Sequence, residues 1–223
     1  MDAWEPLFDH ALACIDSIAR TGSPMPDWTF GGGTALMLRY HHRQSYDIDI
    51  FVDNPQWLPF FSPRLNDTLD PFVTDYDETA SYVKLSTQWG EIDFIVALGL
   101  TQTPSETVSI HGRSVALETP AEIIAKKLRY RGASLRSRDV FDVAVVQAYT
   151  PKTLWACRPV WVSELPAIRR RLDRLATQYP IEAPRLALLP AGEVFRDTAW
   201  AKVDTLMRRV QSAENRRKSD REQ

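Results

Sequence analysis

The feature that most constrains this chain is a run of three glycines within residues 28–51. Gly31, Gly32 and Gly33 follow the apolar residues 28–30 and precede a helix-compatible run at residues 34–40. Glycine accepts backbone angles that other residues avoid, and it has no Cβ to hold a ligand away. The pattern predicts a strand, a glycine turn and a helix, with Thr34 or the glycines at the helix boundary.

A helix that begins at a glycine turn presents free N–H groups and the positive end of its dipole, and both favour bound phosphate. The residues after this helix predict a second strand that ends at Phe51. Side chains alternate along a strand, so every second position shares a face. The predicted polar face carries Arg43, Ser45, Asp47 and Asp49, and the predicted apolar face carries Tyr46, Ile48 and Ile50.

The carboxylates of Asp47 and Asp49 are two residues apart on the predicted polar face. Like charges this close repel each other unless a cation lies between them, so a divalent metal ion is the economical explanation. Carboxylate and phosphate oxygens are the usual ligands of Mg²⁺. A phosphate-binding turn followed by a metal-binding Asp-x-Asp therefore predicts metal-assisted nucleotidyl transfer.

The spacing of these motifs resembles a known signature. Gly32-Gly33-Thr34, followed after twelve residues by Asp47-Ile48-Asp49, is similar to the GG/GS…DxD signature of the DNA polymerase β-like nucleotidyltransferase superfamily. The longer string GGGTALMLRYHHRQSYDIDIF resembles the AbiEii/AbiGii-type nucleotidyltransferase toxins of prokaryotic toxin–antitoxin and phage-defence systems. The resemblance implies that a nucleoside monophosphate is transferred from a nucleoside triphosphate to an acceptor.

The resemblance also implies a third carboxylate on a neighbouring apolar strand. Asp93 lies in the apolar run of residues 92–96, and Glu91 is its rival on the same face. We prefer Asp93 because it lies deeper in the apolar run. Asp47, Asp49 and Asp93 would then be the ligands of two magnesium ions.

The later family motifs match residues 125–142. Lys127 is the matched lysine, with Lys126 as its rival, and both Asp139 and Asp142 fit the acidic element, with Asp139 preferred. Arg138 stands where the family often has lysine. The resemblance implies that Asp47, Asp49, Asp93, Lys127 and Asp139 are catalytic, and that the nucleotide is bound by Gly32, Gly33, Thr34, Arg43 and Ser45.

The fold class implied is α/β (α+β), with a small mixed sheet, flanking helices and a helical C-terminal portion. We predict a nucleotidyltransferase core at residues 1–118 and a helical portion at residues 119–223, with a disordered tail at residues 213–223. Within these regions we predict hairpins at residues 80–97 and 106–117 and a proline-containing irregular segment at residues 54–70. The predicted helices are residues 2–20, a helix from residue 120, and residues 138–149, 163–179 and 197–210, with an extended stretch at residues 180–190.

Composition limits the remaining functions. The net charge of −2 provides no overall attraction to nucleic acid, so RNA binding would need a local basic surface. Cys14 and Cys157 are too few and too distant for a disulfide framework or a zinc site. No apolar run is long enough to span a membrane and the first residues are acidic, which favours a cytoplasmic protein without a membrane partner.

We expect an RNA end, such as that of a tRNA, as the acceptor. Basic residues follow the core, and a run of arginines at residues 169–174 would extend them along an RNA backbone. The family resemblance adds a cognate antitoxin as a possible partner. A protein or small-molecule acceptor, and a non-catalytic binding module with the same fold, remain as alternatives.

Overall fold

The computed structural model describes residues 4–20, 22–67, 69 and 71–220. The chain divides into two units, which we call unit 1 and unit 2. Unit 1 comprises Met1–Arg39, Ser45–Gly99 and Ser105–Thr119, and unit 2 comprises Tyr40–Gln44, Leu100–Pro104 and Pro120–Gln223. The sequence predicted one boundary after residue 118, whereas two short segments of the N-terminal half also belong to unit 2.

Unit 1 contains a seven-stranded mixed sheet, as the predicted fold class requires. Its strands are β1 (Trp28–Gly31), β2 (Ile48–Val52), β3 (Val73–Glu78), β4 (Tyr82–Thr87), β5 (Gly90–Val96), β6 (Ser105–Ile110) and β7 (Arg113–Glu118). The strand order is β3-β4-β5-β2-β1-β7-β6. Strand β2 runs antiparallel to β1 and parallel to β5, and β1 runs parallel to β7.

The start of β2 corrects one prediction. Ile48, Ile50 and Val52 are buried, as the predicted apolar face requires, but residues 43–47 are not part of a regular strand and Tyr46 is exposed. In unit 2, backbone hydrogen bonds from Gln44 N to Ala187 O and from Leu189 N to His42 O hold residues 42–44 instead. These long-range bonds replace the local pairing that strand alternation assumes.

Strand β3 was not predicted from the sequence. It is an edge strand paired only with β4 among the described strands, and four of its six residues are exposed. Since neither face is buried, its side chains do not alternate between apolar and polar residues, and this removes the signal that identifies a strand.

Two helices belong mainly to unit 1, namely α1 (Trp4–Ala19) and α2 (Gly32–Tyr40). Helix α1 packs its buried apolar face against β2 and β5. The predicted start of α1 at Asp2 lies outside the described residues. Thr34 is not the N-cap of α2, because the helix already begins at Gly32 and the Thr34 hydroxyl donates to the Asp47 carbonyl at 2.6 Å.

The proline-containing segment forms a 3₁₀ helix at Pro55–Phe61. Phe61 is fully buried, and its ring stacks on that of Phe94 of β5 with 3.8 Å between centroids and an interplanar angle of 2°. Leu58 is buried as well, whereas Trp57 and Phe60 are half-buried. The segment therefore covers one face of the sheet. The predicted end of this segment at Asp70 lies outside the described residues.

Unit 2 is helical. Its α-helices are α3 (Pro120–Arg131), α4 (Ser137–Tyr149), α5 (Pro151–Ala156), α6 (Leu165–Glu182) and α7 (Ala199–Ser219). Helix α4 packs against the other four, and Trp161 is fully buried among the core residues.

Two helix ends in unit 2 differ from the predictions. Helix α6 continues through Pro180 to Glu182, where the sequence predicted an extended stretch. Because proline has no backbone N–H, the helix lacks the bond that residue 180 would otherwise donate to the carbonyl of residue 176. Helix α7 includes residues 213–219 of the predicted disordered tail, stabilised by pairs such as Glu214–Arg217 and Gln211–Asn215. Residues 221–223 of that tail lie outside the described residues.

No helix in the described ranges combines the length and apolar character needed to cross a lipid bilayer.

The stacked phenylalanines provide a test of the packing of the 3₁₀ helix. We expect Phe61→Ala to lower the free energy of unfolding by about 3–5 kcal/mol, because it removes a fully buried ring. Phe60→Ala, at a half-buried position of the same helix, should cost clearly less. Chemical denaturation of both variants measures this difference, and equal losses would show that Phe61 does not anchor the segment.

Candidate active site

The glycine turn places a helix N-terminus beside a carboxylate. Strand β1 ends at Gly31 and α2 begins at Gly32, whose φ of +71° lies in the left-handed region. A Cβ built on Gly32 would overlap the Asp49 carboxylate, so the side chain of Asp49 lies directly against the backbone of Gly32. Both the φ angle and the lack of space require glycine here.

Asp49 and Asp93 are neighbours in the sheet. They are register partners on the adjacent parallel strands β2 and β5, so their side chains share a face. Burial raises the pKa of Asp93 to about 7, and the charge of Asp49 contributes to the increase. The two carboxylates that the sequence could only associate through family resemblance therefore lie side by side.

Lys84 on β4 forms an ion pair with Asp93 and with Glu91. Its Nζ lies 2.8 Å from Glu91 Oε2 and 3.4 Å from Asp93 Oδ1. Burial alone would lower the pKa of Lys84, but the neighbouring Glu91 and Asp93 carboxylates raise it. The Glu91 side chain is 43% exposed and that of Asp93 is 20% exposed, so Asp93 is the more buried of the two rival positions.

Asp47 precedes β2 and is half-buried. Its carbonyl accepts the Thr34 hydroxyl, and its Oδ1 would lie 3.6 Å from a Cβ built on Gly90. Ser45 is also half-buried, and its backbone N–H donates to Met37 Sδ at 3.3 Å. These contacts place the segment that carries both residues beside α2 and the β4–β5 turn.

The chemistry of this carboxylate group suits a divalent cation. Asp93 Oδ1 is buried, and within the described residues its contact with Lys84 at 3.4 Å is an ion pair without hydrogen-bond geometry. A hard cation would satisfy this oxygen and relieve the repulsion from Asp49. In the described parts of the chain, no three His, Cys, Asp or Glu residues are grouped closely enough to form a metal site. The group therefore fits a cation in its ligand chemistry, with further ligands to come from outside the side chains.

Unit 2 contains a separate buried ionic network centred on Asp142. The fully buried carboxylate accepts from Arg43 Nε at 2.7 Å, from a terminal Arg43 nitrogen at 2.8 Å and from Lys127 Nζ at 2.9 Å. The His42 ring nitrogen Nε2 lies 2.9 Å from the same carboxylate. Burial acts to raise the pKa of Asp142, but the Arg43 and Lys127 charges hold it well below its ordinary value.

Lys127 forms ion pairs with Asp139 and Asp142, the two aspartates that fit the acidic element of the later family motif. Its Nζ donates to Asp139 Oδ1 at 2.8 Å as well as to Asp142. Burial acts to lower the pKa of Lys127, but the two carboxylates raise it, so the ammonium is stable in this buried position. Lys126 lies instead near Glu122, with 3.6 Å between Nζ and Oε1.

The predicted residues therefore lie in two groups. Unit 1 holds Gly32, Gly33, Thr34, Ser45, Asp47, Asp49 and Asp93, and unit 2 holds Arg43, Lys127 and Asp139. The partners His42 and Lys84 were not predicted from the sequence. The position of His42 directly before Arg43 was the sequence signal available for it. The contact of Lys84 with Asp93 depends on the register of the β4–β5 hairpin, for which the sequence gives no local signal.

Comparison with known proteins identifies the family of this chain. Residues 19–216 match the family described as "Nucleotidyl transferase AbiEii toxin, Type IV TA system". A comparison with curated protein sequences gave no match.

Three solved structures are similar in fold. ANT(2")-Ia in complex with adenylyl-2"-tobramycin is 16% identical, with coverage of 71% of this chain and 96% of that chain and a TM-score of 0.50. Lincomycin-bound LnuA, a lincosamide antibiotic adenylyltransferase, is 15% identical, with coverage of 64% and 97% and a TM-score of 0.42. An antigenic nucleotidyltransferase-like protein from Paracoccidioides brasiliensis is 14% identical, with coverage of 78% and 90% and a TM-score of 0.37.

The first of these similarities confirms the predicted polymerase β-like nucleotidyltransferase fold. The family match extends over most of the chain and includes the glycine turn, the Asp-x-Asp pair and the lysine–aspartate network. This chain therefore belongs to the AbiEii family of nucleotidyltransferase toxins of type IV toxin–antitoxin systems.

Proposed function

We propose that this chain transfers a nucleoside monophosphate from a nucleoside triphosphate to a hydroxyl group at an RNA end, such as that of a tRNA. The placement of Asp49 beside Asp93 and against the backbone of Gly32 carries this proposal. It combines a helix N-terminus suited to phosphate with two carboxylates suited to a cation. In the type IV systems to which the family belongs, such a toxin is controlled by a cognate antitoxin.

The nucleotide is proposed to bind at the start of α2. The backbone N–H groups of Gly32, Gly33 and Thr34 would donate to the triphosphate, and the missing side chains of the two glycines allow close approach. The acceptor hydroxyl then attacks the α-phosphorus. A new O–P bond forms, the bond to the β-phosphate oxygen breaks, and pyrophosphate leaves.

Asp93 Oδ1 is the proposed acceptor of the proton that the attacking hydroxyl loses. Asp93 lies beside Asp49, whose carboxylate is against the Gly32 backbone where the nucleotide is proposed to bind, and this position suits a general base. Asp49 and Asp93 would also hold Mg²⁺, with phosphate oxygens of the substrate as further ligands, and Asp47 would have to move closer to join them. When bound, the ion would neutralise phosphate charge and make the hydroxyl more acidic.

Lys127 and Asp139 carry the later family motif, and we propose that transfer requires both residues. Asp139 and Asp142 keep Lys127 protonated through the short contacts described above. Arg43 is bound by Asp142, so we propose that it acts mainly by holding that carboxylate in place.

The distribution of charge supports a polyanionic acceptor. Unit 1 has 5 Lys and Arg against 17 Asp and Glu, whereas unit 2 has 22 Lys and Arg against 12 Asp and Glu. The net charge of −2 therefore conceals a formal −12 in unit 1 and +10 in unit 2. A strongly basic unit attracts RNA more readily than a neutral small molecule.

Removing one carboxylate of the pair tests the proposed reaction. Asp49→Asn should reduce the transfer of labelled nucleotide to RNA by at least about a hundredfold, because it removes a charged ligand of the cation. Its thermal unfolding should remain cooperative, since the pair contributes repulsion rather than packing. Incubation of the pure protein with each labelled nucleoside triphosphate and total RNA measures the transfer.

Asp53→Asn is the matched control, because Asp53 is an exposed aspartate just after β2. This control should retain full activity. Undiminished labelling by Asp49→Asn would contradict the proposed chemistry, and labelling of protein or a small molecule in place of RNA would contradict the proposed acceptor.

The glycine turn can be tested with a pair of alanine variants. Gly32 and Gly112 have φ angles of +71° and +73°, but only at Gly32 would a Cβ meet another group. Gly112→Ala should cost about 1–2 kcal/mol of stability through backbone strain alone and leave transfer unchanged. Gly32→Ala should cost more and abolish transfer, because the methyl group displaces the Asp49 carboxylate.

Denaturation and transfer assays on both variants separate the effect of backbone strain from the effect of displacing the Asp49 carboxylate. Similar behaviour of the two variants would mean that the close approach at Gly32 has no role in the reaction.

The pKa of Asp93 predicts a pH dependence of stability. The folded carboxyl has a pKa of about 7 and the unfolded carboxyl an ordinary pKa of 3.8, so the folded state binds more protons between these values. In EDTA, stability should therefore fall as pH rises from 4 to 7, by about 1–3 kcal/mol. Asp93→Asn should lack this component and be more stable than wild type at pH 8.

Thermal melts of wild type and Asp93→Asn at several pH values in EDTA measure the effect, with Asp53→Asn as the control. Added Mg²⁺ should raise the melting temperature of wild type at pH 8 more than that of Asp93→Asn. Parallel pH profiles for wild type and Asp93→Asn would show that burial does not raise this pKa.

A further inference from the structure

An aromatic ring in unit 2 lies in contact with two arginines. Trp155 on α5 is half-buried, and the guanidinium carbons of Arg158 and Arg209 each lie 4.6 Å from the centroid of its ring. Arg158 follows α5 in the chain, whereas Arg209 comes from the middle of α7. The indole therefore draws together two like charges that would otherwise repel each other.

The two arginines are held in position before any ligand binds. Arg158 also donates to the Trp155 carbonyl at 3.2 Å, while Arg209 is exposed to solvent. The Arg158 side chain is only 12% exposed and mainly fixes the ring, whereas the exposed Arg209 keeps its planar set of donors available and loses less freedom when it binds a phosphate. This is a prepared phosphate contact rather than a flexible surface charge.

Further cations extend this contact along α7. Lys202, Arg209 and Arg216 are exposed and follow at intervals of seven residues, which places them on one side of the helix about 10 Å apart. Lys152 is exposed one turn before Trp155. The nearby carboxylate of Glu214 lies 3.7 Å from Arg158 Nε and 3.6 Å from a terminal Arg217 nitrogen, so it balances only part of this charge.

We propose that these residues form the surface that binds the phosphate backbone of the acceptor RNA. We call this surface the α5–α7 patch, and it consists of Lys152, Trp155, Arg158, Lys202, Arg209 and Arg216. The assignment rests on the proposed function for its choice of RNA, and on the geometry of unit 2 for its location.

The α5–α7 patch fits RNA better than the arginine run of α6 does. Arg169 pairs with Asp204 at 3.2 Å, and Arg171 donates to the Leu135 carbonyl at 2.7 Å. Two arginines of that run are therefore used to hold α6 within unit 2.

The α5–α7 patch also fits RNA better than it fits a membrane or a protein. None of the exposed large hydrophobic side chains in the described residues lies on α5 or α7. Membrane insertion and stable protein interfaces both need such side chains, whereas phosphate binding needs mainly positive charge.

The proposal is tested by removing three charges from the α5–α7 patch. The variant Lys202→Gln/Arg209→Gln/Arg216→Gln should bind fluorescently labelled bulk tRNA about ten- to a hundredfold more weakly than wild type at physiological salt. The slope of log affinity against log salt should also become smaller by about 2 to 3. Fluorescence anisotropy on the full chain without nucleotide measures both quantities.

A second triple variant controls for net charge. Arg170→Gln/Arg174→Gln/Arg185→Gln removes the same charge from exposed positions of unit 2 outside the α5–α7 patch, and it should change tRNA affinity by less than about threefold. Circular dichroism melts verify that both variants fold. Equal weakening by the two variants, or wild-type affinity in the first variant, would overturn the assignment.

Trp155→Leu tests whether the indole ring holds Arg158 and Arg209 in position for phosphate, and it removes no charge. Its affinity for tRNA should fall several-fold while the salt slope stays nearly unchanged, because the phosphate contacts remain but must be ordered on binding. Trp155→Phe, which keeps an aromatic face, should recover part of the loss. An unchanged affinity in Trp155→Leu would show that the ring has no part in binding.

Two further measurements distinguish RNA from other classes of partner, and distinguish failure of the α5–α7 patch from failure of the proposed function. Polyglutamate and phosphatidylglycerol vesicles should bind the chain much more weakly than tRNA, and equal binding would overturn the choice of RNA. Asp49→Asn should bind tRNA as wild type does. If Asp49→Asn still transfers nucleotide, the proposed function fails, whereas failure of the first triple variant to lose affinity rejects only the α5–α7 patch.

Discussion

The candidate site in unit 1 depends on the register of one parallel strand pair. Asp49 on β2 lies opposite Gly31 on β1 and opposite Asp93 on β5, with its carboxylate against the backbone of Gly32. A shift of one residue in either strand would move one of the two carboxylates to the other face of the sheet. The packing of α1 on β2 and β5 and the Phe61–Phe94 stack oppose such a shift, because both bury side chains that alternate with these aspartates.

The pKa of a buried aspartate is shifted in opposite directions in the two units. In unit 1, Asp93 is buried beside the like charge of Asp49 and its pKa is raised to about 7, which leaves a site that favours a proton or a cation. In unit 2, Asp142 is fully buried but surrounded by Arg43, His42 and Lys127, which hold its pKa low. Buried ion pairs contribute little net stability, and their value lies in fixing one arrangement of side chains. The first arrangement suits chemistry and the second suits positioning.

The two units carry opposite net charges, and this bears on the RNA acceptor proposed for the chain. An acidic unit with a carboxylate pair and a basic unit with a formal charge of +10 are combined in a chain whose net charge is only −2. Averages over the whole chain therefore give no information about nucleic-acid binding here. The local geometry of Trp155, Arg158 and Arg209 gives the charge of unit 2 a defined place at which phosphate would bind.

The sequence by itself determined the local part of this protein. The glycine turn, the Asp-x-Asp pair, the β4–β5 and β6–β7 hairpins and most helices follow from short-range spacing, and the motifs were sufficient for the family. Only the tertiary structure placed Asp93 next to Asp49, because 43 residues separate them and their pairing depends on strand order. It also placed Arg43 in the ionic network of unit 2 rather than on the face of β2, through backbone bonds to residues 187–189. Such contacts join distant parts of the chain, and local periodicity carries no information about which distant partner a segment meets.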